Sequence, residues 1–120
     1  MPVSRTTKEE LKALLESADP DSKPVLIDAR LKYPYEHSGL TLPGALRMEP
    51  DRLEFDKVPP GKPVVVYDSD PKELVSSRVA AAFLRRGFQA SALKGGIAEW
   101  ISANFPVEPK PRAGGTPTAG

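Results

Sequence analysis

Apolar residues occur in short, well separated runs along most of the chain. Residues 24–28 and 63–67 are apolar runs without polar alternation, which is typical of strands that are covered on both faces. Residues 74–86 instead place apolar side chains at helical spacing, and 97–103 predict a closing helix. Residues 89–93 fit one more strand. Strands separated by helices predict parallel βαβ units, and therefore an α/β fold.

Local signals delimit the folded part of the chain. Thr7 followed by Glu10 forms a capping-box pattern, so we expect a first helix of about three turns that ends near Asp19-Pro20. Many Pro and Gly residues between the two apolar strands predict a loop-rich stretch with short helix or strand pieces. We expect one domain over residues 1–109, and a flexible Pro/Gly-rich C-terminal tail over 110–120.

Composition narrows the function classes. With 120 residues and 39% hydrophobic content, the chain is long enough for one core. The formal net charge of +1 indicates no nucleic-acid surface, and no apolar run is long enough to cross a membrane. The N-terminus lacks the apolar segment of a signal peptide, so we expect a cytoplasmic protein. The chain contains no cysteine, which excludes disulfides and thiol nucleophiles within it.

Four segments, taken in order, resemble the motifs of the rhodanese-like (sulfurtransferase) family. The combination covers residues 7 to 107, and the Gly-Gly-x-x-x-Trp pattern is its most specific part. The segments are Asp28-Ala29-Arg30 after a strand and before Tyr35-Glu36, Pro43-Gly44-Ala45, the strand 64–67, and Gly95-Gly96 with Trp100. The resemblance implies a central parallel sheet of about five strands with helices on both faces. It also implies an active-site loop directly after Tyr67.

The resemblance places Asp68 where active members of the family carry their catalytic cysteine. A carboxylate cannot form a persulfide, so sulfur transfer through this position is chemically unavailable. We expect Asp68 instead to act as an internal anion that accepts loop N–H bonds. Non-catalytic halves of two-domain sulfurtransferases have a similar Tyr-Asp pair. The sequence therefore predicts a non-catalytic module for binding, regulation or structural support, whose partner is an unknown protein or an adjoining domain, with no nucleic acid, membrane, metal or cofactor.

The rest of the loop also departs from the family's Cys-x-x-Gly-x-Arg-Ser pattern. The loop is about two residues longer, which puts Val75 at the arginine position and Ser76 at the serine position. Asp70 and Glu73 add negative charge that would repel an anionic substrate even if a thiol were restored. The candidate binding residues are Asp68, Ser69, Asp70, Lys72, Glu73, Ser76, Ser77, Arg78, Asp28 and Arg30.

Two enzymatic alternatives remain open from the sequence. The domain can be a component of a sulfurtransferase-family enzyme that uses a cysteine from elsewhere. Alternatively, Asp68-Ser69-Asp70 after a hydrophobic strand is similar to the Asp-x-Asp motif of phosphotransferases that form an aspartyl phosphate. We expect His37 to be a solvated loop residue, because no nucleophile lies near it in sequence.

Several conspicuous residues have structural explanations. We expect Asp28 to hold loop amides at a strand end, and Arg30 to pair with a carboxylate such as Glu36. Trp100, with Ile97 and Ile101, fits a core-facing stripe on the last helix. The helix predicted at 74–86 is expected to carry a solvated basic face, formed by Lys72, Arg78, Arg85 and Arg86.

Overall fold

The computed structural model describes residues 3–17, 19, 23–69 and 72–110. Most of the predicted tail, residues 111–120, lies outside this range, as does Asp70.

The described chain alternates short strands and helices. The strands are β1 (Arg5–Thr6), β2 (Val25–Asp28), β3 (Leu40–Thr41), β4 (Leu46–Arg47), β5 (Val64–Tyr67), β6 (Ala90–Leu93) and β7 (Glu108–Pro109). The helices are α1 (Lys8–Glu16), α2 (Lys32–His37), α3 (Leu74–Arg85) and α4 (Gly96–Ser102), with a 3-10 turn at Phe55–Lys57.

Five strands form one parallel sheet in the order β1-β6-β5-β2-β4. The predicted α/β fold and sheet are confirmed. In the centre, β2 and β5 pair from Val25 opposite Val64 to Asp28 opposite Tyr67. Because parallel strands end at the same edge, this register brings the loops after Asp28 and Tyr67 side by side. That edge is where the candidate site lies.

The sheet separates two apolar clusters, since successive residues of a strand point to opposite faces. On one face, Val64 and Val66 pack with Val79 and Phe83 of α3. On the other face, Val65 and Tyr67 join a cluster with three side chains of α1 and α4, which are Leu11, Ile97 and Trp100. Helices therefore cover both faces, as predicted.

Helix ends follow the sequence signals closely. The Thr7 hydroxyl accepts the Glu10 N–H and the Glu10 carboxylate accepts the Thr7 N–H, so the predicted capping box forms. These bonds lower the pKa of Glu10 from its ordinary value. Helix α1 ends at Glu16, a little before the predicted boundary, and α3 ends at Arg85, just before Gly87. Among the described residues, no helix is both long and apolar enough to cross a membrane.

The structure adds elements that the sequence pattern did not predict. Strand β1 precedes α1 and pairs with β6, and β3 pairs with β7 in a separate antiparallel ribbon. Lys110, which the prediction assigned to the tail, donates its backbone N–H to Gly39 at 2.8 Å. Trp100 is buried as expected, but Ile101 is 41% exposed, so its predicted core position was wrong. Consecutive helical residues point about 100° apart, so Ile101 faces away from the side of α4 that buries Trp100.

Gly96 allows α4 to approach the end of β5 closely. Its φ is +64°, and the Ile97 N–H donates to the Asp68 carbonyl at 3.0 Å. A Cβ atom at Gly96 would clash with that same carbonyl oxygen, because the two atoms would be closer than van der Waals contact allows. The Gly-Gly motif is thus explained by backbone packing.

We expect Gly96→Ala to lower the free energy of unfolding by about 2–5 kcal/mol, because it adds a backbone clash to an unfavourable positive φ. Gly44→Ala is the matched control, since Gly44 has φ +71° and open space around its Cβ position. That variant should lose only about 1–2 kcal/mol. Urea unfolding measures both, and equal losses would contradict the packing explanation.

Candidate functional site

Asp68 follows the last residue of β5 and closes the turn toward α3. Its side chain is buried, with the residue 1% exposed. The carboxylate oxygen Oδ2 accepts the Ser76 backbone N–H at 2.6 Å. Ser76 lies in the first turn of α3, where N–H groups have no partner within the helix. Asp68 therefore supplies a negative charge to a helix N-terminus, which both caps the helix and complements its dipole.

Glu73 immediately precedes α3 and also points inward. Its backbone adopts a left-handed conformation, with φ 55°, and its own side chain makes no capping bond. The carboxylate instead lies 2.6 Å from Nε of Arg5 on β1. This ion pair offsets the charge of Glu73. The predicted repulsion of anions by Glu73 is correspondingly reduced, so that part of the prediction was wrong.

The other candidate residues of the loop have different surroundings. Ser76 is buried, and its hydroxyl donates weakly to the Glu73 carbonyl at 3.4 Å. Ser69 and Ser77 are half-buried, whereas Lys72 and Arg78 are exposed. NH2 of Arg78 lies 4.0 Å from the Asp51 carboxylate. The fold brings Asp68, Glu73 and Ser76 together, but it leaves Arg78 facing solvent.

Asp28 and Arg30 form a buried ion pair at the end of β2. The Arg30 guanidinium donates to both carboxylate oxygens, at 2.9 Å from Nε and 2.6 Å from NH2. Arg30 thus pairs with a neighbouring carboxylate as predicted, but the partner is the buried Asp28 and not Glu36, which is exposed. Burial alone would lower the pKa of Arg30, but the bonds to Asp28 outweigh it and raise that pKa. As predicted, Asp28 also accepts a loop amide, the Arg30 N–H, at 3.2 Å.

Tyr35 lies against three cationic groups near this pair. Ring-centroid distances are 4.0 Å to Arg47, 4.4 Å to Lys110 and 5.2 Å to Arg30. Lys110 also donates to the Tyr35 carbonyl at 2.7 Å. The end of the described chain is thereby attached to α2 and to the edge of the sheet that carries the site.

An open cleft of about 410 Å³ adjoins Tyr35 and Arg47. Three cationic and three acidic side chains line it, so no single sign of charge dominates. The lining consists of Lys32, Tyr35, Glu36, Arg47, Glu49, Arg52 and Glu54. His37 lies outside this lining, exposed at the end of α2, and stacks on Tyr33 with ring centroids 5.7 Å apart.

Sequence reasoning missed Arg5 and Arg47 as site residues. Arg5 belongs to a two-residue strand and meets Glu73 only through the tertiary fold. Arg47 follows the Pro-Gly-Ala motif and donates to the Arg30 carbonyl at 2.5 Å. For Arg47, the only signal in the sequence was its position as a basic residue in the strand after the Pro-Gly-Ala motif.

A profile of the rhodanese-like domain matches residues 7–103. The chain belongs to the rhodanese-like domain family. No curated protein matches the chain.

Solved structures support the same fold. A full-length protein from Lactobacillus plantarum is 24% identical with a TM-score of 0.78, and the match covers 88% of each chain. A Rhodopseudomonas palustris protein of unknown function, described as a possible tyrosine phosphatase, is 25% identical with a TM-score of 0.71, covering 88% of this chain and 85% of that one. A thiosulfate sulfurtransferase from Pseudomonas aeruginosa is 18% identical with a TM-score of 0.73, covering 89% of this chain but 19% of that one.

Tyr67, at the end of β5, makes the free energy of unfolding depend on pH. Burial raises the pKa of its hydroxyl, and the charge of Asp28 acts in the same direction. Because the folded pKa lies above the unfolded value, the stabilising effect is complete below pH 10 and is lost as the pH rises further.

Above about pH 10 we expect this residue to reduce the free energy of unfolding by about 1.4 kcal/mol per pH unit, because only the unfolded phenol ionises. Tyr67→Phe removes the ionising group and should show a correspondingly flatter decline. Urea titrations between about pH 9 and 11 measure both slopes. Identical slopes in the two proteins would rule out Tyr67 as the source.

Proposed function

We propose that this rhodanese-like domain is a non-catalytic module, used for binding or regulation, whose active-site loop is occupied by its own carboxylate. The observation that carries the proposal is the 2.6 Å bond from the Ser76 N–H to the buried Asp68 carboxylate. In the family pattern, the cysteine and its anionic substrate stand at this position. Here the negative charge at the helix N-terminus is part of the protein.

The chemistry of Asp68 supports the same proposal. Sulfur transfer requires a thiolate that attacks a sulfane sulfur and then carries it, and the chain has no cysteine. The neighbouring side chains offer no replacement, since Ser76 is buried and Val75 is uncharged. What remains of the site is a protein surface, which suits recognition of an adjoining domain or another protein.

A second candidate is phosphoryl transfer to Asp68, because one structural relative is described as a possible tyrosine phosphatase. An attacking carboxylate must reach the phosphorus atom, but Asp68 is 1% exposed and one of its oxygens is bonded to α3. The first proposal is therefore preferred.

The purified chain should show no turnover above the buffer rate with thiosulfate and cyanide, with mercaptopyruvate, or with p-nitrophenyl phosphate and Mg²⁺. The expectation follows from the missing thiol and the buried carboxylate. Thiocyanate, pyruvate and nitrophenolate are measured over a range of substrate concentrations. Saturable sulfur transfer, or phosphatase activity that disappears in Asp68→Asn, would overturn the proposal.

Asp68→Cys alone should remain at least about tenfold slower than a variant that carries the whole Cys-x-x-Gly-x-Arg-Ser loop, because Val75 provides no guanidinium for the substrate. In the reaction, the thiolate attacks the outer sulfur of thiosulfate, a persulfide forms, and sulfite leaves. Mass spectrometry detects the gain of one sulfur atom, and cyanide turnover gives the rate.

Asp68→Ser is the matched control, since it resembles the thiol in size and cannot carry sulfur. Equal rates for Asp68→Cys and the full loop variant would show that the remaining loop residues are no barrier.

A further inference from the structure

The last part of the described chain crosses from α4 to α2, and residues 105–110 are here called the C-terminal strap. Near its start, the Phe105 ring packs edge-on against Trp100, with ring centroids 5.1 Å apart. The Trp100 indole N–H donates to the Pro106 carbonyl at 2.7 Å. Because Trp100 is fully buried, the first half of the strap is anchored to the core.

The second half of the strap has contacts of a different kind. Glu108 and Pro109 are exposed, and they pair with β3 as a two-residue strand. The Gly44 N–H donates to the Glu108 carboxylate at 3.0 Å, and the Lys110 N–H donates to the Gly39 carbonyl at 2.8 Å. Exposed hydrogen bonds with little apolar burial open at low free-energy cost. The end of the strap can therefore separate from the domain while its anchored half stays in place.

Lys110 places its ammonium group at the C-terminal end of α2. The ammonium donates to the Tyr35 carbonyl at 2.7 Å and to the Glu36 carbonyl at 3.3 Å. Carbonyl groups in the last turn of a helix are incompletely paired within the helix, and a cation at this end also complements the helix dipole. The same ammonium lies 4.4 Å from the centroid of the Tyr35 ring. One lysine thus contacts both the backbone and a side chain of α2.

Helix α2 is short and lies on the surface of the domain. It spans six residues, none of which is buried, and its N-cap residue, Leu31, makes no side-chain capping bond. Helices shorter than about 12 residues are only marginally stable without tertiary contacts. The stability of α2 therefore depends on tertiary contacts such as those of Lys110.

Helix α2 also forms part of the open cleft, to which it contributes Lys32, Tyr35 and Glu36. Arg47 of β4 lines the same cleft, and its guanidinium lies 4.0 Å from the centroid of the Tyr35 ring. When α2 unfolds locally, the ring leaves Arg47 and the cleft loses this wall. The shape of the cleft therefore depends on whether α2 is folded.

We propose that the C-terminal strap is a conformational switch that sets the shape of this cleft. With the strap docked, Lys110 holds α2 folded, and with the end of the strap released, α2 opens. By linkage, whatever captures the end of the strap changes the cleft, and whatever binds the intact cleft strengthens docking of the strap. The switch goes beyond the proposed function, because it concerns how the cleft is held and not whether the domain is catalytic.

Amide hydrogen exchange tests the switch on the full chain. The reporters are the Tyr35 N–H, bonded within α2, and the Ser38 N–H at its end. In Lys110→Met, which keeps a long apolar side chain but removes the ammonium, both amides should exchange at least about fivefold faster than in the wild type. Lys57→Met is the matched control, since it breaks an exposed ion pair of 2.9 Å with Glu54, another residue of the cleft. It should leave both amides at the wild-type rate.

The reverse direction is tested by weakening α2. Glu36→Gly lowers helix propensity at an exposed position and keeps the backbone carbonyl, whereas Glu36→Gln removes the same charge with little loss of propensity. The Lys110 amide should exchange at least about twofold faster in Glu36→Gly than in Glu36→Gln, because linkage works in both directions. Lys110 is far from Glu36 in sequence, so its intrinsic exchange rate is the same in both variants.

Unchanged exchange of Tyr35 and Ser38 in Lys110→Met would overturn the proposal. So would equal acceleration of the Val66 amide in the central strand, which would indicate a general loss of stability. A Lys110 amide that exchanges at the same rate in the two Glu36 variants would also overturn it, because the strap and α2 would then open independently.

Discussion

The bond between the Asp68 carboxylate and the Ser76 N–H stabilises the connection from the central strand β5 to helix α3. It ties the end of β5 to the first turn of α3 across the loop between them. The same residue receives α4 through its carbonyl, which accepts the Ile97 N–H. Two helices on opposite faces of the sheet are thus oriented by one residue. A substitution at this position removes the side-chain cap of α3, whereas the backbone carbonyl that accepts the Ile97 N–H is still present.

Burial makes charge compensation the governing constraint at this edge of the sheet. Asp28, Arg30, Asp68 and Glu73 are all buried, and each has a partner that satisfies its charge or its hydrogen-bonding groups. Asp28 and Arg30 are each other's partner, Asp68 accepts a helix N–H, and Glu73 pairs with the guanidinium of Arg5 on an edge strand. Because an unpaired charge in the interior is unfavourable, each of these residues must keep its partner in the folded state.

The long elements were predictable from the sequence, because their signals are local. Strands 64–67 and 25–28 are continuous apolar runs, and α3 has helical spacing with Gly87 beyond its end. The two-residue strands β1 and β7 were not predictable, since two residues carry no periodicity. They form because a tertiary neighbour offers matching backbone groups.

The candidate site was predictable in its chemistry but not in its pairings. The position of Asp68 after β5 indicated a carboxylate near a helix N-terminus, and the structure has this contact. A carboxylate partner for Arg30 was predicted, but the named example, Glu36, was wrong, since sequence spacing does not show which way a long side chain turns. The Arg5–Glu73 contact joins residues far apart in sequence, so no local pattern indicates it.

The bidentate pair of Asp28 and Arg30 has a consequence for how this domain tolerates change. Replacing either residue alone leaves a buried charge without its bidentate partner, even though the Arg47 guanidinium lies 3.9 Å from the Asp28 carboxylate, and this is costlier than removing both. Two successive substitutions must therefore pass through an intermediate less stable than the start or the end. The two positions form a single mutational unit, and a library that varies them one at a time will miss the neutral replacements of the pair.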